Sequence, residues 1–320
     1  MHGEYYKMKV VSYSQVVPTK NTNSEKSLLL HYFVAGVNAA GTGDFGIVHS
    51  GTNIQSSEVA VIQGWQHQRG KGGIHLMLRQ KIIDTQLAQK RYVVTADSNL
   101  FLYANPENTP YHYLRYSFNG VFPNTGIYCD TSPDPKRWNS ISKNLGIKLN
   151  DKRPKGKNII LCCQRNGGWS MGEYDLQDWI INTVKEIRKY SDRTIIIRPH
   201  PGDKKADEYL NNKFSRVLNL PNTKISAFGK PLAHDLHKAW AVVNHNSSSI
   251  VGPIIQGYPA FISDPVRSQC AEVSHVGFKD IENPKDFDRE SWLHRISMFH
   301  WNFDELRSGE AWRHMRNYCQ

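Results

Sequence analysis

No apolar run in this 320-residue chain approaches the ~20 residues needed to span a bilayer. The N-terminus, Met1 to Lys7, lacks the apolar segment of a signal peptide, so the expected location is the cytoplasm. Cysteine is scarce and scattered: Cys129, Cys162, Cys163, Cys270 and Cys319 form no CxxC and no Cys/His metal spacing. That pattern points to free thiols and no structural zinc. No internal repeat is visible, and the glycine-rich Gly41–Gly46 stretch fits no phosphate-loop spacing, so it reads as a turn. Acid is the other shortage. There are 29 Asp/Glu against 40 Lys/Arg, a formal charge of +11. Residues 1–150 carry 15 basic and 9 acidic side chains, residues 151–320 carry 25 and 20, so both parts are basic and there is no basic tail. This favours a polyanionic partner over a small neutral one.

What the chain does have is strand ends that carry polar groups. Thr194 to Ile197 are all β-branched and nearly continuously apolar, as in a parallel strand covered on both faces. Arg198-Pro199-His200-Pro201 follows, and the prolines push Arg198 and His200 toward extended geometry. A guanidinium and an imidazole are then held at the carboxyl end of a strand, where open α/β sheets bind ligands. A second apolar run, Ala239–Val243, leads into Asn244-His245-Asn246-Ser247-Ser248-Ser249 and a short helical stretch closed by Gly257. Ser and Asn at such a junction cap backbone amides that also suit a phosphate. Pro259–Ile262 returns as a strand.

An Arg-Pro-His-Pro element, a Ser-rich strand-to-helix turn and a Gly-x-Pro strand resemble the nucleotide-sugar half of GT-B glycosyltransferases, above all bacterial polysialyl- and capsule-type enzymes with His-Pro and Ser/Ser motifs. The tail Trp301–Trp312 resembles the end of glycosyltransferases encoded by tailed bacteriophages. The likeness covers the second half well and the first half loosely. It implies two Rossmann-like α/β domains facing a cleft, with C-terminal helices crossing back to the first. It also implies that His200, Pro201, Ser247, Ser248 and Ser249 contact the donor's phosphates or nucleotide. The loop after the first strand of the second domain faces the donor in such proteins, which adds Gln164, Gly167 and Gly168; Asn246 joins them by position.

The domain expectation is 1–150 for the acceptor, 151–285 for the donor and 286–320 for the returning helices. Lys148–Lys157, charged and without periodicity, marks the boundary. In the first domain, Lys9–Tyr13 and Leu28–Val34 read as β-rich runs and Ser57–Gly64 as a buried strand. The loop Trp65–Gly73 contains Arg69 and Lys71. It suits a phosphodiester backbone with Trp65 stacking on a base, or is simply a flexible surface loop. Ile74–Gln89 reads as a helix and Arg91–Ala96 as a strand ended by Asp97. Asp97 is the candidate base that deprotonates an acceptor hydroxyl, or else a helix cap, with Asp44 as runner-up. Arg115, among Tyr111, His112, Tyr113, Tyr116 and Phe118, can stack on unpaired bases, or these residues are core. In the second domain, Val217-Leu218 reads as a short strand. Trp292, Trp301 and Trp312 read as core, and Asn302 with Glu305 as a capping box.

The expected activity is transfer of glucose or a pentose such as arabinose from a UDP-sugar to a hydroxymethylated pyrimidine, 5-hydroxymethylcytosine, in double-stranded phage DNA. The base is reached by flipping. Arg198, His200 and the Ser247–Ser249 turn supply the charge that stabilises a departing diphosphate, so no cofactor and no metal is expected. Alternatives are a capsule or lipopolysaccharide transferase, a non-enzymatic nucleic-acid-binding module, and a sugar-nucleotide epimerase.

Overall fold

The β-branched runs become strands of two separate sheets. In the computed structural model, residues 6–17, 25–65, 73–97, 100–101, 113–128, 132–151, 155–210, 215–227 and 229–319 are described. The strands among them are β1 (Lys9–Tyr13), β2 (Phe45–His49), β3 (Val59–Gln63), β4 (Tyr92–Ala96), β5 (Leu114–Phe118), β6 (Asn158–Cys162), β7 (Ile195–Arg198), β8 (Thr223–Ile225), β9 (Ala239–Asn244), β10 (Ala260–Ile262), β11 (His275–Val276) and β12 (His300–Trp301). Two units result. The first comprises residues 1–99, 108–145 and 294–320, the second residues 100–107 and 146–293.

In the first unit the strand order is β12-β5-β4-β3-β1-β2. β1 to β4 are parallel, β5 pairs antiparallel with β4, and β12 pairs antiparallel with β5. Helices α1 (Glu25–Ala39) and α2 (Ile74–Ala88) supply the crossovers, followed by α3 (Pro135–Leu145). The Leu28–Val34 run is therefore helix, not strand. Three consecutive leucines are strong helix formers, and Leu29, Leu30, Phe33, Val34 and Val37 are buried at the three- and four-residue spacing of a helical face.

The last residues of the chain complete this first core. Leu306, Trp312 and Met315 pack with Val11, Leu30, Val59 and Ile83. Gly36 permits the closest approach, since a Cβ there would lie 1.8 Å from the Leu306 carbonyl oxygen. Gly309, whose φ of +81° suits glycine, separates two short helices, Phe303–Arg307 and Glu310–Met315. The capping box forms as read: Asn302 and Glu305 each accept the other's backbone N–H. Trp292, Trp301 and Trp312 are all buried.

The second unit is a six-stranded sheet in the order β11-β10-β9-β6-β7-β8, with every recorded pair parallel. Helix α4 (Leu176–Arg188) covers it, capped by Asp175, with Leu176, Trp179, Ile180, Val184 and Ile187 facing the sheet core. Val217-Leu218 lies in a turn, not a strand: only Val217 is buried, and Leu218 is exposed. From β6 the chain builds outward through β7 to β8. It then returns to the other side of β6 with β9 and continues to β10 and β11. The β6/β9 boundary is thus the switch point, where the loops leaving adjacent parallel strands diverge and open a crevice at the carboxyl edge.

Candidate functional site

The loops after β6, β7, β9 and β10 all lie on this carboxyl edge, and buried side chains tie them together. Across the switch point, Gln164 Nε2 donates to Asn246 Oδ1 at 2.8 Å and to Ser170 Oγ at 2.6 Å. Asn246 Nδ2 donates to the Ser170 carbonyl at 3.0 Å and to Asp264 Oδ2 at 2.9 Å. Both of those partners are pure acceptors, which fixes the orientation of the Asn246 amide and, through it, that of Gln164. Gln164 and Asn246, expected to touch a donor, are 4% and 6% exposed and serve as braces between loops.

His245 stands behind Asn246. Trp179 Nε1 donates to Ser263 Oγ at 2.9 Å, and Ser263 Oγ lies 2.8 Å from His245 Nδ1. His245 Nε2 is 3.7 Å from Asp264 Oδ2, too far for a hydrogen bond. Burial lowers the pKa of His245, aided by Arg267 and opposed by Asp264, so the ring is neutral at pH 7. Asp264 Oδ1 also accepts the Val266 and Arg267 amides, closing the loop after β10.

The β7 loop presents His200. The Asp203 N–H donates to the His200 carbonyl at 2.9 Å, closing a tight turn through exposed Pro201. The Gly202 N–H donates to His200 Nδ1 at 2.9 Å. Nδ1 is therefore the acceptor nitrogen, and in the neutral ring Nε2 carries the proton. The pKa of His200 is lowered by burial first and by Arg165 second, against Asp203. At pH 7 His200 is a neutral Nε2–H donor that bonds to none of the described residues. Arg165, on the β6 loop, is exposed, and its guanidinium makes no ion pair or hydrogen bond with the described residues. Gly167 (φ +70°) and Gly168, whose N–H donates to the Arg165 carbonyl at 2.9 Å, form the turn that carries it.

After β9, Ser247 Oγ accepts the Ser249 N–H at 3.2 Å and caps a 3₁₀ turn, Ser248–Ile250. The Ser248 and Ser249 hydroxyls are half-buried and bond to no described residue. One edge of one sheet thus gathers an uncommitted guanidinium, an N–H-donating imidazole and two hydroxyls, as anion recognition requires.

Two of the expected catalytic residues are engaged elsewhere. Arg198 Nη1 bonds Asp235 Oδ2 at 2.7 Å and Ser226 Oγ at 3.3 Å, and Nη2 bonds the Lys230 carbonyl at 2.6 Å. It belongs to a buried ion pair between β7 and the helix Leu232–Leu236, whereas Arg165 is a cation that this edge leaves uncommitted. Asp97, in the first unit, is ion-paired with Arg115 Nη2. Arg115 itself is 4% exposed, with its guanidinium 5.7 Å from the Tyr128 ring centroid. It is a buried brace and presents no cation to a nucleic acid. The runner-up Asp44 is fully buried among Arg316, Trp312, Thr42 and the Met8 N–H, and fastens the chain's last helical turns to its first strand. Trp65 is half-buried against the first core, and its carbonyl accepts from Arg79 Nη1 at 3.0 Å. Arg69 and Lys71 lie outside the described residues.

Sequence reasoning passed over Arg165, Asp203, His245 as a brace, and Asp264. Arg165 carried a signal, being a lone cation in the loop after the first strand of its domain. Reasoning from sequence also passed over Asp286-Phe287-Asp288, an Asp-x-Asp spacing of the kind that can grip a metal. In the structure Asp288 accepts from the Ser291 N–H and hydroxyl, as an N-cap does. Among the described residues no group of three or more His, Cys, Asp or Glu is placed to hold a metal ion. Nor is any described helix long and apolar enough to cross a membrane.

No protein-family model matches the chain, and no curated protein does. Among solved structures, the β-Kdo 2,4 transferase of KpsC from Thermosulfurimonas dismutans aligns over 93% of this chain and 93% of its own, at 12% identity and a TM-score of 0.54. The β-Kdo 2,7 transferase of KpsC from the same organism aligns over 95% of this chain and 99% of its own, at 10% identity and a TM-score of 0.52. The likeness is one of fold: a two-domain, Rossmann-like α/β protein of the GT-B kind.

Proposed function

We propose that this protein is a glycosyltransferase that holds a nucleotide-sugar donor at the carboxyl edge of its second sheet. The observation that carries the reading is the braced switch point, where Gln164, Asn246 and Asp264 lock adjacent loops while Arg165, His200 Nε2–H, Ser248 and Ser249 stay uncommitted. In the transfer, an acceptor hydroxyl attacks the anomeric carbon and the bond from that carbon to the diphosphate oxygen breaks. The electron pair leaves on the diphosphate. Arg165 and the His200 N–H meet that growing charge, and donors fixed in place before the reaction stabilise it most. Asp97 is proposed as the carboxylate that takes the hydroxyl proton, which requires this partly exposed side chain to exchange its ion pair with Arg115 for the acceptor.

For the acceptor, the reading is a hydroxymethylated pyrimidine, 5-hydroxymethylcytosine, in double-stranded DNA, with UDP-glucose or UDP-arabinose as donor. The charge of +11, spread over both parts of the chain, supports a polyanion. The likeness in fold to KpsC favours a second reading, a capsule-type oligosaccharide acceptor.

The test is incubation with UDP-sugars and hydroxymethylated DNA, plain DNA or an acidic oligosaccharide, followed by mass analysis of nucleosides and glycans. A hexose or pentose increment on hydroxymethylcytosine supports the first reading, and an increment on the glycan the second. Donor isomerisation without an acceptor would make the protein an epimerase. DNA binding with no turnover of any donor would leave a binding module. His200→Ala is expected to reduce transfer by at least about 100-fold, within the range of positioned donors, while DNA affinity stays within about twofold. Equal loss of both would contradict the division of roles.

A further inference from the structure

Asp203 accepts three hydrogen bonds at this edge, and the chemistry above assigns it nothing. It is 6% exposed. Its Oδ2 accepts the Tyr209 hydroxyl at 2.9 Å and the Asn166 N–H at 3.2 Å. Its Oδ1 accepts the Lys205 N–H at 3.0 Å, and its own N–H closes the turn onto the His200 carbonyl. One carboxylate thus grips the β6 loop through Asn166, the His200 turn, and the start of the Ala206–Leu210 helix. No cation is paired with it among the described residues: all its contacts are neutral donors. Burying an ionised carboxylate without a cation is costly, and loop bracing alone does not call for a charge, as Gln164 and Asn246 show next door. His200 responds to both Asp203 and Arg165, in opposite directions.

We propose that Asp203 is a positioning residue that sets the His200 turn and the 164–168 loop in register, so that His200 Nε2–H and Arg165 meet one nucleoside diphosphate together. This rests on the donor-site reading above. The arrangement is specific. Gly202, between His200 and Asp203, donates to the imidazole, and a Cβ there would sit 3.4 Å from the ring and 3.7 Å from Arg165 Cδ. The carboxylate reaches past this contact from below and ties the two loops on either side of it. Its charge also offsets the effect of Arg165 on the imidazole, which keeps both donors compatible in one small volume.

The experiment compares wild type, D203N, D203A and Y209F. It reads kcat, KM for the UDP-sugar and Kd for UDP, and follows the His200 ring protons through an NMR pH titration. D203A is expected to raise KM and the UDP Kd at least about tenfold, with the acceptor KM unchanged. D203N keeps the shape and removes the charge. It should raise the UDP Kd less than D203A does and move the His200 midpoint down, because an anionic neighbour has been lost. Y209F keeps the charge and removes one tether, so its UDP Kd should rise several-fold while the midpoint stays put. This variant serves if D203A does not fold. Wild type that binds no UDP overturns the donor-site reading itself, before any variant is compared. Wild type that binds UDP, with D203N matching it in Kd and midpoint, overturns the role of Asp203 alone. So does a D203A that loses donor and acceptor affinity equally.

Discussion

At the scale of single residues, charge partners decide which cations and anions can meet a ligand. Arg198 and Arg165 lie on neighbouring strand-end segments of one sheet, yet only the first is spent on a carboxylate. Arg198→Gln should therefore act on folding. It leaves Asp235 buried without its cation, which costs about 3–5 kcal/mol, measurable as a lower midpoint in urea. Catalysis by the fraction still folded should be near normal. A loss of turnover at unchanged stability would return Arg198 to the site. The same distinction explains what could be read in advance. The Arg-Pro-His-Pro and Ser-Ser-Ser stretches could be placed at strand ends from sequence because prolines and serines act locally. Arg198 and Arg115 were misassigned because Asp235 and Asp97 are 37 and 18 positions away, and nothing local announces such a pairing.

At the scale of elements, the buried Asp44 knot joins β1, the Thr42 turn before β2, and the helix Glu310–Met315 with the turn after it. Burial alone would favour the protonated acid, but hydrogen bonds from Arg316, the Met8 N–H, Thr42 and Trp312 outweigh it and hold the pKa below the ordinary carboxylate value. A carboxyl that is more acidic when folded contributes stability that is complete above its unfolded pKa, near 4. That contribution drains away as pH falls toward the folded value. Asp44→Asn should cost about 3 kcal/mol at pH 7, by taking the buried carboxylate from the Arg316 guanidinium, and should flatten the acid limb of the stability curve below about pH 4. Near-UV circular dichroism of the first unit's tryptophans would follow this, and an acid limb identical to wild type would refute it. Elements were legible where pattern and propensity agreed, as in β3, β4, β6, β7, α2 and α4. They were misread where the two conflicted. Leu28–Val34 is apolar enough for a strand, but its burial is helical. β2 was missed because exposed Phe45 and Ile47 flank Gly46 on an edge strand, and the Asn38 side chain, not another strand, satisfies Gly46's N–H and carbonyl.

At the scale of the whole molecule, the two-domain α/β architecture followed from the order of strands and helices. The acceptor did not, because it depends on surfaces that charge counts only average. That average still gives a test. If DNA is the acceptor, log Kd should rise with log salt with a slope of about +4 or steeper, since each neutralised phosphate contributes about 0.9. A slope near zero would favour a weakly charged acceptor. The measurement needs only fluorescence anisotropy of a labelled duplex between 50 and 200 mM salt, the span over which such contacts are known to respond strongly.

Leu306, Trp312 and Met315 lie in the same hydrophobic cluster as Val10 and Val59, and this has a bearing on synthesis. A ribosome that has already released β1 to β5 has not yet made the residues that close their core. Residues 146–293 meet no such delay, because their sheet is drawn from one continuous stretch. The half made second is thus free to fold first, while the half made first waits, its apolar surface open to chaperones, for the last turns of the chain.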